Sequence, residues 1–181
     1  DRIAEVVRRS LPDAEIIVNL QGDEPEIEPE SIALLVDQLR STPDAAMATL
    51  ATPVRSLETL QSPSCVKVVC ARDGRALYFS RAAMPFVRDA DPAAVLATPT
   101  NPWLLHVGIY AYRRDFLLQL TQAPVSRMEA LEKLEQLRAL EAGARIQVAV
   151  VPHHTVGIDT PEDYARFVAR QATRSLGRSA A

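Results

Sequence analysis

Apolar residues recur along the first half of the chain in two periods, one typical of helices and the other of strands. Residues 2–9 follow helical spacing, and residues 15–20 form a largely apolar run that predicts a buried strand. Residues 29–39 again follow helical spacing with a proline at the first position, and residues 46–54 predict a second strand. This alternation predicts an α/β fold with a mixed sheet.

The second half of the chain continues the alternation. Residues 66–70 and 76–79 flank an Asp-Gly turn and predict a β-hairpin. The proline-rich residues 84–101 predict a long irregular loop. The remaining predicted elements are a strand at 104–112, a short helix at 114–120, a helix at 126–142, a strand at 146–151 and a last helix from Thr160. The helix at 126–142 has a capping box at its start and Gly143 as its stop.

The composition is that of an ordinary soluble globular protein. The chain has 181 residues, of which 48% are hydrophobic and 24% are charged. The net charge is −3, which argues against nucleic-acid binding through general electrostatics. No apolar run approaches the ~20 residues needed to span a bilayer. Cys65 and Cys70 have no nearby Cys or His for a zinc site, so free thiols are expected.

Carboxylates follow two of the predicted strands. Asp23 and Glu24 come after the strand at 15–20, and Asp159 stands between a strand and a capped helix. Ligands gather at the carboxyl ends of strands in open α/β sheets, and carboxylate oxygens suit Mg²⁺. An ordinary turn at Asp23, and a favourable helix-terminal charge at Asp159 worth ~0.3–1 kcal/mol, are the alternatives.

A few further polar residues could bind a ligand. Glu135 and Arg138 fall on the apolar arc of the helix at 126–142, either as an internal ion pair or with Glu135 as a ligand. Arg81 follows the hairpin and could bind a substrate carboxylate or lie on the surface. His106 and Tyr110 share one face of a strand. The six glycines form no phosphate-binding motif.

Five motifs, taken together, resemble a known family. In chain order they are VNLQGDEP, VKVV with DGRALYFSRAAMP, LLHVGIYAYRRDFL, LEKLEQLRALEAG and TVGIDTPEDY. Their combination, over essentially the whole chain, resembles the 3-deoxy-manno-octulosonate (Kdo) cytidylyltransferases. QGDEP and DTPED alone are shared more loosely with other sugar-nucleotide transferases.

The resemblance implies a single nucleotidyltransferase domain over residues 1–181, with a Rossmann-like mixed sheet flanked by helices and a β excursion for dimerisation. It implies transfer of CMP from CTP to Kdo, giving CMP-Kdo and pyrophosphate for lipopolysaccharide synthesis. The expected partners are these two substrates and a second copy of the chain, without nucleic acid or membrane. The expected location is the cytoplasm.

The resemblance also assigns site residues. Asp23 and Asp159 match the catalytic carboxylates that hold Mg²⁺. The positions that match the lining of the sugar-acid pocket are Gln21, Arg81, His106, Tyr110, Glu135 and Gln136. Arg81 would engage the sugar carboxylate, and Glu135 a sugar hydroxyl.

One family feature is not found in this sequence. The family begins with a strand and a loop of the form A-R-x-x-S-x-R-L-P-G-K that binds the CTP phosphates, so the chain matches about the C-terminal three-quarters of the fold. We therefore expect weak sugar-acid binding without CTP turnover, exposure of Ile3, Val6 and Val7, and a strand at 15–20 that lacks a neighbour on one side. The alternatives are a cytidylyltransferase for another sugar acid such as an acylneuraminate, a non-catalytic sugar-acid-binding module, or a metal-dependent hydrolase.

Overall fold

A six-stranded mixed sheet organises the part of the chain that the structure describes. The structure is a computed structural model, and it describes residues 2–20, 22, 26–152, 160–162 and 164–169. The strands are β1 (Ile16–Asn19), β2 (Ala45–Pro53), β3 (Lys67–Cys70), β4 (Ala76–Ser80), β5 (Leu104–Arg113) and β6 (Arg145–Val150). The helices are α1 (Arg2–Ser10), α2 (Pro29–Ser41), α3 (Leu57–Gln61), α4 (Pro92–Leu96), α5 (Arg114–Leu120), α6 (Arg127–Glu132) and α7 (Gln136–Glu141). Residues 161–162 and 164–169 are also helical.

Strand β5 lies at the centre of the sheet. It pairs with β2 on one edge, while β3 and β1 divide the other edge, β3 beside residues 104–105 and β1 beside residues 110–113. Strands β1 and β2 are both antiparallel to β5, and β6 is parallel to β2. The carboxyl ends of β1 and β6 therefore lie at the same edge of the sheet.

Each face of the sheet is covered by different elements, which gives two main cores. Helix α2 packs Leu35 and Leu39 against the β5 side chains Val107, Ile109 and Ala111. On the other face the β3–β4 hairpin and helix α7 pack against β2 and β6. The buried residues of this second core include Met47, Val68, Phe79, Leu137 and Ile146. Because side chains alternate along a strand, β2 supplies both cores.

A bulge in β5 sets the direction of its side chains. Thr49 of β2 lies opposite Tyr110, but Leu50 lies opposite Val107, so two residues of β5 are inserted at this point. The Thr49 hydroxyl shares its one proton between two carbonyl oxygens of the bulge, that of Val107 at 3.1 Å and that of Ile109 at 2.8 Å. The insertion of two residues keeps the alternation of faces along β5.

The tip of the hairpin docks on β6. The Gly74 carbonyl accepts a hydrogen bond from the Val148 amide at 2.9 Å. The Gln147 side-chain amide donates to the Asp73 carbonyl at 2.6 Å. Gly74 has a φ of 80°, which a residue without Cβ adopts at low cost. The hairpin thus crosses the sheet face and covers the core beneath it.

Most of the predicted elements are confirmed within a residue or two, but the helix predicted at 126–142 is wrong as a single element. It is two helices, α6 and α7, separated by Lys133 in the left-handed region at a φ of 55°. The predicted capping box at Ser126 and Glu129 is confirmed. The predicted stop at Gly143 is also confirmed, with Gly143 and Ala144 amides closing on the carbonyls of Leu140 and Ala139.

Other differences are local. The predicted loop at 84–101 contains α4, with Asp91 as its N-cap, and the unpredicted α3 is capped by Ser56. Val6 is 54% exposed as expected, but the expectation for Val7 is wrong, because Val7 packs against Ile17 and Leu117 and is buried.

Two remaining expectations concern β1 and the membrane. Among the described residues β1 pairs only with β5, and the expected lack of a second neighbour stays a prediction. None of the helices in the described ranges is both long enough and apolar enough to cross a bilayer.

Replacing Gly74 by alanine should destabilise the protein more than the same change at Gly143. Both glycines have a positive φ, so each change should cost about 1 kcal/mol of backbone strain. A Cβ at Gly74 would also lie 2.5 Å from the Gln147 amide nitrogen, whereas a Cβ at Gly143 would meet nothing within 4 Å. Displacing Gln147 breaks its hydrogen bond to Asp73, worth about 1 kcal/mol more.

The free energy of unfolding in urea measures both variants. Equal losses for Gly74→Ala and Gly143→Ala would contradict the docking of the hairpin tip on β6.

Candidate active site

A cavity of about 470 Å³ lies on the face of the sheet, at the end of β1. This volume is in the range of small-molecule sites. Its lining comes from strands β2 and β5, the end of β1, the start of α1, helix α5, and the segment that leads from Lys133 into α7. The lining residues are Ile3, Asn19, Met47, His106, Gly108, Tyr110, Tyr112, Leu117, Leu120, Thr121, Lys133, Leu134, Glu135, Gln136 and Arg138.

A row of aromatic rings from β5 forms one wall of the cavity. The ring centroids of His106 and Tyr110 are 5.4 Å apart, and those of Tyr110 and Tyr112 are 5.8 Å apart. The rings of Phe79 and His106 are T-shaped to each other, with their centroids 5.0 Å apart. His106 Nε2 lies 3.0 Å from the Thr49 hydroxyl, which also bonds to the bulge carbonyls. The bulge therefore helps to fix the imidazole.

The two tyrosines keep their protons at neutral pH. Burial raises the pKa of Tyr110 well above its usual range, and Tyr112 and Glu135 add to the effect. Burial also raises the pKa of Tyr112, again with a smaller contribution from Glu135. A protonated phenol can donate a hydrogen bond, so this wall can offer donors to hydroxyl or carboxylate oxygens of a ligand.

The break between α6 and α7 turns a short segment toward the cavity. Helix α6 ends at Glu132, and Lys133 follows in the left-handed conformation. A turn from Leu134 leads into α7, with the Leu137 amide bonded to the Leu134 carbonyl at 3.1 Å. Leu134 and Gln136 are buried, whereas Glu135 is exposed at the cavity. The break thus places an amide and a carboxylate on the cavity wall.

Arg138 has a structural partner other than the one considered from sequence. Its guanidinium bonds to both carboxylate oxygens of Glu129, at 2.6 and 2.7 Å, and to the carbonyls of Leu120 and Ala123. The hydrogen bonds from Arg138 lower the pKa of Glu129, and the same contact raises the pKa of Arg138. The alternative predicted from the sequence, in which Arg138 pairs with Glu135 alone, is therefore wrong. Glu135 lies on the cavity wall.

The structure brings together four of the residues assigned to the sugar pocket, namely His106, Tyr110, Glu135 and Gln136. Arg81 is not among the residues that line the cavity. Its guanidinium donates to the carbonyls of Pro63 at 2.8 Å and Glu132 at 2.7 Å. Its role toward a carboxylate stays a prediction.

The other three assigned residues, Gln21, Asp23 and Asp159, lie outside the described residues. Within the described ranges no group of three or more His, Cys, Asp or Glu side chains could hold a metal ion. Asp23 follows β1 and Asp159 follows β6, and these strands end at one edge of the sheet. Carboxylate oxygens are the hard ligands that Mg²⁺ takes. The metal pair stays a prediction.

Sequence reasoning missed Asn19 and Lys133 as lining residues. A signal for Asn19 exists, because it ends β1 two residues after buried Ile17 and so shares its face. Lys133 gives no such signal, because it lies within a continuous helical pattern.

Comparisons with known proteins agree with this architecture. A family model described as "Cytidylyltransferase" matches residues 1–146. A 3-deoxy-manno-octulosonate cytidylyltransferase of Rhodopirellula baltica is 49% identical over 171 residues, or 94% of this chain and 68% of that protein. The protein of the same name from Halorhodospira halophila is 50% identical over 181 residues, or 96% of this chain and 69% of its own length.

A solved structure is also similar. It is a CMP:2-keto-3-deoxy-manno-octonic acid synthetase in complex with CTP, and it matches with a TM-score of 0.86 and 40% sequence identity. The match covers 96% of this chain and 68% of that one. At this identity the likeness extends beyond the fold to the sequence.

The two glutamates near Arg138 should respond differently to substitution. Glu129→Gln leaves half-buried Arg138 without its charged partner, so the free energy of unfolding should fall by about 3 kcal/mol. Glu135→Gln should change it by less than about 0.5 kcal/mol, because Glu135 is exposed at the cavity. Urea unfolding of both variants measures the difference, and a large loss from Glu135→Gln would contradict the assignment of partners.

The same pair predicts a pH dependence. Because the folded-state pKa of Glu129 is lowered, its stabilisation is present above the ordinary glutamate pKa of about 4.3 and is lost as the pH falls through the folded value. Glu129→Gln should therefore lose less stability between neutral and acid pH than the wild type does. Unfolding free energies measured along a pH series would test this, and parallel curves would contradict it.

Proposed function

The chain belongs to the cytidylyltransferase family, and from this premise we propose that it transfers CMP from CTP to 3-deoxy-manno-octulosonate, giving CMP-Kdo and pyrophosphate. The observation that carries the proposal is the cavity in which His106, Tyr110, Glu135 and Gln136 meet. The similar proteins named above carry this activity in their names, which favours Kdo over an acylneuraminate as the acceptor.

The cavity residues bind and orient the sugar acid. The protonated Tyr110 donates to an oxygen of the sugar, and the Glu135 carboxylate accepts from a sugar hydroxyl. The Gln136 amide, buried beside them, can donate and accept at once. Together these groups hold the anomeric hydroxyl in one orientation. Holding the reacting group in place lowers the free-energy barrier to the reaction.

In the reaction the anomeric oxygen forms a bond to the α-phosphorus of CTP. The bond from that phosphorus to the bridging oxygen of the β-phosphate breaks, and pyrophosphate leaves with the electron pair. The hydroxyl proton is released to solvent. In-line transfer of this kind depends on position and on neutralised charge more than on covalent chemistry by the protein.

Magnesium dependence is part of the proposal. Asp23 and Asp159 would hold Mg²⁺, which when bound neutralises charge on the triphosphate. Support comes from the donor chemistry and from the common edge at which β1 and β6 end.

A homodimer and a cytoplasmic location complete the proposal. Phe86 is 85% exposed and Leu77 of β4 is 49% exposed, and large apolar side chains of this kind are suited to a subunit contact. The cytoplasm is the compartment in which CTP is available as a substrate.

The test is release of pyrophosphate from CTP and Kdo by the complete gene product, with and without a metal chelator. We expect activity that requires Mg²⁺ and that falls more than about 100-fold in Asp23→Asn and Asp159→Asn, because lost charge neutralisation costs several kcal/mol in the transition state. Asp37→Asn, on the exposed side of α2, is the matched control and should retain activity.

Binding of Kdo to the 181-residue chain, measured by calorimetry, tests the cavity without turnover. Glu135→Ala should weaken binding while leaving the free energy of unfolding unchanged. A preference for an acylneuraminate over Kdo, or Kdo binding that is indifferent to Glu135, would overturn the proposal.

A further inference from the structure

Glu132, the last residue of α6, joins two parts of the molecule that are far apart in sequence. Its carboxylate accepts one hydrogen bond from the Ser80 hydroxyl at 2.6 Å and another from the Arg81 backbone amide at 2.9 Å. Its carbonyl accepts a third from Arg81 Nε at 2.7 Å. These three bonds connect the end of β4 to the end of α6.

The end of β4 is itself fixed from below. Lys67 of β3 is fully buried, and its ammonium donates to the carbonyls of Ser62 at 2.9 Å, Cys65 at 2.6 Å and Arg81 at 2.6 Å. Three donors with three acceptors satisfy the hydrogen bonds of the ammonium, and the Glu132 carboxylate acts on it only through its charge. The backbone at Arg81 is therefore an anchor, and the carboxylate of Glu132 ties α6 to that anchor.

The tie between α6 and Arg81 affects the cavity through the three residues that follow Glu132, residues 133–135. Directly after Glu132 the backbone enters the left-handed region at Lys133, which is unfavourable for a residue with a Cβ. Hydrogen bonds from Ser80 and Arg81 offset that cost, because they hold α6 where it ends. The direction in which the chain leaves Glu132 decides where Glu135 and Gln136 meet the cavity.

We propose that Glu132 is a positioning residue for the sugar-acid site: it holds the end of α6 against Arg81 and so sets where Glu135 and Gln136 stand. The inference rests on the proposed function for its effect on substrate, but the geometry can be tested without substrate. Its action depends on two side-chain atoms that reach the Ser80 hydroxyl and the Arg81 amide, and the negative charge is not required.

Two substitutions distinguish the effect of the length of the Glu132 side chain from the effect of its negative charge. In Glu132→Gln the amide oxygen can accept from the Arg81 amide while the amide nitrogen donates to the Ser80 hydroxyl oxygen, so the links are kept without the charge. In Glu132→Asp the charge is kept, but a side chain shorter by one methylene does not reach both donors. Glu141→Asp is the matched control, since Glu141 also binds a backbone amide of α6, that of Met128, but does not line the cavity.

Steady-state kinetics of the complete gene product give the first readout. We expect Glu132→Asp to raise KM for Kdo about 10-fold with KM for CTP unchanged, because a small misplacement of binding groups is costly. Glu132→Gln and Glu141→Asp should resemble the wild type. Loss in Glu132→Gln with retention in Glu132→Asp would overturn the inference, as would equal rises in both KM values.

Hydrogen exchange of the chain without ligand gives the second readout. Glu132→Asp should lose amide protection at residues 133–138 while β2, β5 and β6 keep theirs, and Glu132→Gln should lose none. Unchanged protection in Glu132→Asp would overturn the inference even if the enzyme is active. If the wild type neither binds nor converts Kdo, the proposed function fails, and the exchange data still decide the role of Glu132.

Discussion

The division of one edge of β5 between two short strands is the constraint on which the cavity depends. Strand β3 takes residues 104–105 and β1 takes residues 110–113, so in the described part of the chain residues 107–109 have no strand beside them on that edge. The carboxyl end of β1 therefore lies beside the middle of β5, away from the outer edges of the sheet, and the space beyond it is open. Gly108 lies at this gap and lines the cavity, while the aromatic side chains of β5 form the wall beside it. A longer β1 or β3 would fill the space with backbone.

Much of the fold could be predicted from the sequence because local pattern and burial agree. Strands β2 and β6 are covered on both faces, so their sequences are mostly apolar runs, and the Asp-Gly pair marks the hairpin. The break after α6 could not be predicted, because apolar residues continue at helical spacing through it without Gly or Pro. Glu132, where α6 ends, is held by Ser80 and Arg81, more than fifty residues earlier in the chain, and local pattern does not reveal such a contact.

The candidate site was predictable only in part, for the same reason. The motif resemblance identified His106, Tyr110, Glu135 and Gln136, and the fold places them around one cavity. Pairing rules for a continuous helix allowed Arg138 to pair with Glu135, but those rules assume the helix is unbroken. Once α7 is turned against α6, Arg138 reaches Glu129, nine residues away, and fastens the two helices to the end of α5. Asn19 could have been found from strand alternation, whereas Lys133 could not.

The contact of the hairpin tip with β6 has a consequence for how the protein behaves in a crowded solution. In the described part of the chain β6 is the last strand of the sheet, and exposed amides and carbonyls of such a strand can recruit a strand from another molecule. The Val148 amide is already taken by the Gly74 carbonyl, and Gln147 is held against Asp73. A turn, unlike a strand, presents no row of free backbone amides and carbonyls with which a strand of another molecule could pair. The hairpin tip thus blocks the free edge of β6, and it protects against edge-to-edge aggregation.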